Sequence, residues 1–255
     1  MTSLKNRDNI KSTVDDAFTQ ARKNAALWAK TPKEADDALR EVCGKVWQNA
    51  AHDERKAAYD YTCGSGGFNR PLRGYDGGWG NFKGIGKVDL NSEGRGESIK
   101  RLTGIINKSE YDIDIWLQRG NESAGGTAKF LGISESDLRN LSQDELIKKL
   151  KGKTVSDEGF VSCGSAKGQG FRGYIFNIYC PKGTKMLYAE PFSNYGLGGE
   201  LNWDGISKQS DFGSEDETII QRGTSFQITK IEKKGSSIYF DMEVVKQIGD
   251  GKNGK

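Results

Sequence analysis

Residues 212–231, FGSEDETIIQRGTSFQITKI, read as two short strands joined at an Arg-Gly corner. ETIIQR at 217–222 and SFQITKI at 225–231 are rich in Ile, Thr and Phe, which suit a pleated, buried surface. Strand signals of the same kind recur on both sides. They are YDIDIWLQR at 111–119, EGFVS at 158–162, GYIFNIYC at 173–180, KMLYAE at 185–190 and IYFDMEVV at 238–245. Helical signals lie mostly ahead of these. Residues 12–30 and 32–62 read as two helices, the second with Pro32 near its start and Ala35, Leu39, Val42 and Val46 at helical spacing. Two more are predicted at 96–108 and 134–150, where SQDE at 142–145 forms a capping box. Helices first and mostly antiparallel strands later predict an α+β domain, not a doubly wound sheet.

Between these regions runs a glycine-rich stretch, CGSGG at 63–67 through RGYDGGWGNFKGIGK at 73–87. Its spacing does not make a phosphate loop. GIGK at 84–87 has Asn81 where the first Walker glycine belongs, and Val88 follows where Ser or Thr is needed. No G-x-G-x-x-G occurs within it, so these glycines are expected in turns.

Composition narrows the function. Lys and Arg total 38 against 35 Asp and Glu, a balance that argues against nucleic acid or an anionic membrane as partner. No apolar run approaches the roughly 20 residues of a membrane span. The opening MTSLKNRDNIKSTVDD has no apolar signal core, which implies a cytoplasmic protein or delivery into a target cell by a route without a signal peptide. Cys43, Cys63, Cys163 and Cys180 lie far apart with no C-x-x-C and read as free thiols, with one or two disulfides left open. The single histidine, His52, excludes zinc sites built on two or three histidines, and hence any HExxH protease; no metal is expected. His52 sits in NAAHDERKAAY, which reads as a solvated helix start.

The chemistry concentrates in SEDETII. If residues 215–220 are extended, Glu215 and Glu217 share one face with Cβ atoms ~7 Å apart, and Asp216 takes the other. Ile219 and Ile220 would then bury both faces of the strand, which would enter a cleft at its acidic end. Two carboxylates there suit a reaction that develops positive charge: one stabilises the cation, the other takes a proton from the nucleophile. A charged strand end facing solvent is the plain alternative. A glycosidase also uses two carboxylates, but they flank the scissile bond and usually come from different elements.

Two further segments, in the right order, change the balance. A strand ends in arginine at IDIWLQRG (Arg119), and a strand entered through a charged turn, Gly and Phe occurs at KTVSDEGFVSCGSA (Ser162). The third element is Phe212, two spacers, Glu215, Glu217 and TIIQRGTSFQI. Together these resemble the ADP-ribosyltransferase toxin superfamily, in its branch with an Arg, a Ser-centred strand and Glu-x-Glu. FNIYCPKGTKMLYAEPFSNYG is similar to the strand, Pro-Lys-Gly turn and strand of that family. AAYDYTCGSGGFNRPLRG is similar to its opening helix. The resemblance covers about residues 50–246. Residues 1–50 resemble, more weakly, the lead-in of phage-associated members.

The resemblance implies a mixed, mostly antiparallel two-sheet core with N-terminal helices. It divides the chain into a helical lead-in (1–50), a catalytic domain (51–248) and a frayed tail (249–255). It implies NAD as substrate and transfer of ADP-ribose to an arginine of a target protein, with release of nicotinamide. Arg119, with Gly120 beside it, would hold a phosphate of NAD; Ser162 would orient Glu217. Glu217 would stabilise the oxocarbenium ion, and Glu215 would deprotonate the acceptor guanidinium. Phe171 and Arg172 would flank the dinucleotide, and Phe212 would belong to the substrate-recognition turn. Two departures stand out. Cys163 and Gly164 replace the second and third residues of the family's Ser-Thr-Ser. The segment LGGELNWDGISKQSD at 197–211 is longer than in many relatives, and its Trp203 would contact a macromolecular acceptor or lie in an insertion. A NAD glycohydrolase and a catalytically weak relative that binds NAD or a partner remain the alternative readings. An inhibitor or immunity protein is the further partner the family suggests.

Overall fold

The computed structural model describes residues 17, 19–76, 83–109, 111–169, 172–195 and 214–248. Residues 19–25 are helical, and the chain then runs extended: Leu27 and Ala29 bridge to Ile115 and Ala166. The helix expected over 12–30 therefore stops short. The two bridges take up backbone groups that a helix would have used.

Helix α1 (Pro32–Gln48) starts as predicted. Thr31 caps it by accepting the Glu34 N–H at 3.2 Å, and Pro32 sits in its first turn. Its buried stripe is Ala35, Leu39, Cys43 and Trp47. The helix expected to continue to 62 instead breaks at 49–51. Helix α2 (His52–Cys63) begins afresh, with the Glu54 carboxylate accepting the Ala51 N–H at 3.0 Å. Leu39, Cys43 and Trp47 belong to the main core, and the Trp47 indole N–H donates to the Tyr188 carbonyl at 2.9 Å. The glycine-rich stretch hides a short helix, α3 (Gly66–Arg73), closed by Gly74 at φ 70°. Gly and Pro oppose such a helix, and burial of Phe68, Asn69 and Leu72 overrides them. Two short strands, β1 (Tyr75–Asp76) and β2 (Lys83–Gly84), pair beyond it.

Helix α4 (Arg95–Lys108) matches its prediction. Strand β3 (Ile115–Asn121) is followed by α5 (Ala124–Leu131), which the sequence did not reveal. The helix expected over 134–150 is two, α6 (Glu135–Asn140) and α7 (Gln143–Leu150). The capping box at Ser142 and Glu145 starts the second rather than lying inside one.

The remaining strands are β4 (Thr154–Asp157), β5 (Val161–Gly164), β6 (Tyr174–Cys180), β7 (Met186–Tyr188), β8 (Glu217–Ile220), β9 (Thr224–Lys234) and β10 (Ser237–Lys246). The sheet order is β4-β9-β10-β6-β3-β5-β8-β7, antiparallel except for β10 against β6. Its two halves, β4-β9-β10-β6-β3 and β5-β8-β7, meet through a single pair, Gln118↔Gly164. The fold is thus α+β and mostly antiparallel, and the sheet splits where β3 and β5 diverge. All four residues of β8 are buried, as a strand covered on both faces requires. The four cysteines are free thiols.

Candidate active site

The divergence of β3 and β5 makes the cleft. Successive residues of β3 point to opposite faces, so Arg119 shares its face with Ile115 and Leu117, while Trp116 and Gln118 take the other. Arg119 is half-buried, and its Nη1 donates to the Ser162 carbonyl at 2.7 Å. That bond ties the arginine across the split between the halves of the sheet. It also leaves most of the guanidinium donors for a ligand.

Strand β5 sets Ser162 opposite Ile219 of β8 and Gly164 opposite Glu217. Ser162 and Glu217 are diagonal neighbours on one face, within side-chain reach. The Ser162 hydroxyl faces the Glu217 carboxylate across this diagonal and favours its charged form. On its other side it lies 2.8 Å from the Tyr61 hydroxyl. Glu217 is only 7% exposed. Burial pushes its pKa from 4.5 up to about 7; the Ser162 bond opposes this, Glu215 adds to it, Arg119 opposes it and Glu190 adds to it. A buried carboxylate poised near neutrality beside an arginine suits a group that changes partners during a reaction.

Glu215 is placed differently from the sequence expectation. Strand β8 begins at Glu217, and Asp216 has φ 43°, in the left-handed region. Residues 215–220 are therefore not one extended run, and the two glutamates do not share a strand face. Glu215 is exposed at the rim, where partial desolvation raises its pKa, while Glu217 points into the dry interior. They remain close enough for Glu215 to act on Glu217 electrostatically. Asp216 is fully buried. The Gln169 amide donates to its Oδ2 at 2.6 Å, and its carbonyl accepts from the Ser165 N–H at 2.9 Å and the Ser165 hydroxyl.

The departures at Cys163 and Gly164 have a structural reason. A Cβ at Gly164 would stand 2.6 Å from the Gln169 Cβ, so glycine lets Gln169 pack there and reach Asp216. Cys163 faces the core, where burial pushes its thiol up to about 12. Ser165 contributes a hydroxyl instead, 2.7 Å from Thr218 Oγ1.

Arg119 opens onto a cleft of about 410 Å³ whose walls include Asn69, Arg70, Arg73, Tyr75 and Lys129. Arg73 is held by a bidentate pair with Asp157, both contacts at 2.7 Å. The sequence did not single out these cations as site residues; their only signal was the Asn and the Leu-Arg of the opening-helix resemblance. Gly120 pairs with Ile175 in β6 and does not line this cleft. Nor does Arg172, exposed just ahead of β6. Phe171, Trp203 and Phe212 lie outside the described residues. His52 is exposed at the start of α2, as its sequence context suggested. Among the described residues, no helix is long and apolar enough to cross a membrane.

A split, mostly antiparallel sheet with Arg119, Ser162 and a buried glutamate at its fork is the ADP-ribosyltransferase fold. Residues 22–247 match the ADP-ribosyltransferase exoenzyme family, and the chain belongs to it. No curated protein gives a match. Among solved structures, C3stau2 from S. aureus, in its structure with NAD, is similar at TM-score 0.66 and 19% identity, over 87% of this chain and 99% of that one. Plx2a, an ADP-ribosyltransferase toxin from Paenibacillus larvae, is similar at TM-score 0.63 and 15% identity, over 86% and 98% of the two chains. The Clostridium limosum C3 exoenzyme is similar at TM-score 0.63 and 17% identity, over 87% and 98%.

Proposed function

We propose that this chain cleaves NAD and transfers ADP-ribose to an arginine side chain of a target protein. One observation carries the reading: Glu217 is buried and held by Ser162, while a second carboxylate, Glu215, stands two residues away at the solvent-facing rim. Arg70, Arg119 and Lys129 along the cleft, set against Glu158 and the Arg73–Asp157 pair, leave a net positive wall that fits a dianionic pyrophosphate, and C3stau2, which shares the fold, has been solved with NAD. In this reading Arg119 grips a phosphate with the guanidinium donors that Ser162 leaves unused. Glu217, ionised, faces the nicotinamide ribose and stabilises the oxocarbenium ion as nicotinamide departs. Glu215, at the rim, meets the acceptor. An arginine is fully protonated near neutral pH, so it attacks only once a base has taken its proton. The exposed carboxylate is placed to do that, whereas Glu217 is committed to the ribose.

The test is to incubate the protein with labelled NAD and a cell lysate, and in parallel with agmatine, and to map the modified residues. Labelled arginine in the lysate and labelled agmatine are expected. Release of nicotinamide with no labelled arginine replaces the transferase reading with NAD hydrolysis.

A further inference from the structure

The Ser162 hydroxyl has two neighbours and one proton, and what lies behind it decides which way that proton points. Asn69, on α3, has its side-chain orientation fixed. The Phe160 N–H can only donate, and it lies 2.8 Å from Asn69 Oδ1, so Nδ2 faces the Tyr61 hydroxyl at 3.1 Å. The Tyr61 oxygen is therefore an acceptor from Asn69, and its own proton must go elsewhere. Ser162 Oγ lies 2.8 Å away and the Phe160 carbonyl 3.5 Å away, so the shorter bond takes it. Ser162 then receives from Tyr61, which frees its own proton to turn toward Glu217, its diagonal neighbour on β8. Every bond of the chain runs one way, and each donor polarises the next.

We infer that Tyr61 is a positioning residue that acts through Ser162 to fix the direction of the hydrogen bond received by Glu217. Tyr61 is fully buried and packs edge-on against Phe68 and Phe160, so its ring is held and only the hydroxyl serves the chain. It does not reach a ligand. Burial pushes its own proton affinity up to about 12, so it stays a donor over the working range of pH. The groups that act on Glu217 from surrounding elements are Ser162 and Cys163 on β5, Arg119 on β3, Glu215 before β8, Glu190 after β7, and Tyr61 itself. Of these, Tyr61 alone meets the Ser162 hydroxyl, whereas Arg119 binds the Ser162 carbonyl.

The inference rests on Glu217 being the working carboxylate, so the primary readout does not use turnover. The titration of Glu217 is followed as the pH dependence of thermal stability, taking the difference between each protein and the same protein carrying Glu217→Gln. Tyr61→Phe keeps the ring and removes only the donor. It is expected to move the Glu217 midpoint upward by about half a pH unit or more. In a Ser162→Ala background the same change should do nothing, because the link is already cut. Turnover of NAD by Tyr61→Phe should fall roughly ten-fold with KM nearly unchanged. An unmoved midpoint with Ser162 present overturns the inference, as does an equal shift in the Ser162→Ala background. A shifted midpoint alongside full turnover in Glu217→Gln would leave the chain standing and remove the catalytic reading instead.

Discussion

Glu217 is a carboxylate that the fold would be more stable without. Its pKa rises from 4.5 to about 7 because the site takes it out of water faster than Ser162 and Arg119 can compensate. Below pH 4.5 the carboxyl is protonated in both the folded and unfolded chain, and it contributes no difference. Between pH 4.5 and 7 the folded chain holds a proton that the unfolded chain has lost, so stability falls as pH rises. Above 7 the penalty is constant, and at 1.36 kcal/mol per pH unit it amounts to about 3 kcal/mol. Glu217→Gln keeps the shape and an acceptor for Ser162 while removing the charge. The variant is expected to match the parent near pH 4.5 and to exceed it at pH 8 by up to about 3 kcal/mol, a rise in Tm of roughly 6–12 °C for a chain of this size. Thermal melts of both proteins from pH 4 to 9, by circular dichroism, measure it. The same variant should lose NAD turnover by roughly 10² to 10³. If the stability gap is absent at pH 8, or is the same at pH 4.5 and 8, the burial argument for Glu217 is wrong.

Three other outcomes follow from the same geometry. Glu215→Gln should abolish labelling of agmatine while leaving measurable NAD hydrolysis, because water needs no base at the oxocarbenium stage; a nicotinamide-release assay beside an agmatine assay separates the two, and equal loss would place Glu215 in the cleavage step. For the parent protein, kcat/KM for NAD hydrolysis should rise with pH through about 7, since the proposed reaction needs Glu217 ionised. A flat profile from pH 6 to 8 contradicts this. Arg119→Ala should raise KM for NAD roughly 10- to 100-fold by removing a charge-assisted phosphate contact, and should also move the acid limb upward, because the arginine lowers the Glu217 pKa. Unchanged KM and an unmoved limb would reduce Arg119 to a strand-end residue.

The strands were legible because their pattern is local. Runs such as IYFDMEVV and GYIFNIYC alternate or stay apolar over their whole length, and the structure keeps them within a residue or two. The helices were less so. The break at 49–51 lies in a run of Ala and polar residues whose helix propensity continues across it; Glu54 and the packing of Trp47 decide it. Helix α3 reads as a turn because two glycines and a proline outweigh Phe68 and Leu72 until the core covers them. In the site, Arg119, Ser162 and Glu217 stand out as candidates only through the ordered resemblance of their three strands, since SEDETII alone reads equally as a charged strand end facing solvent. Tyr61, Asn69 and Arg73 could not be assigned roles, since their importance comes from what α2 and α3 are packed against.

Asp216 marks the limit of pattern reading, and it bears directly on the chemistry. Strict alternation would have set Glu215 and Glu217 side by side on one face. Two carboxylates so placed in a dry cleft would each raise the other's pKa, and one would hold a proton when both are needed ionised. The left-handed backbone at Asp216 eases that conflict without ending it: the strand starts at Glu217, and Glu215 is turned out to the rim, from where it still raises the Glu217 pKa. A non-glycine residue in that conformation costs energy, though Asp tolerates it better than most. Here its carboxylate is bonded to Gln169 and its carbonyl to Ser165, and Gly164 leaves the space that Gln169 fills. The departure from Ser-Thr-Ser and the kink in Glu-x-Glu are therefore one device. Glycine on β5 admits the glutamine that holds the aspartate, and the aspartate gives the two glutamates different environments, which the proposed reaction would use for different tasks.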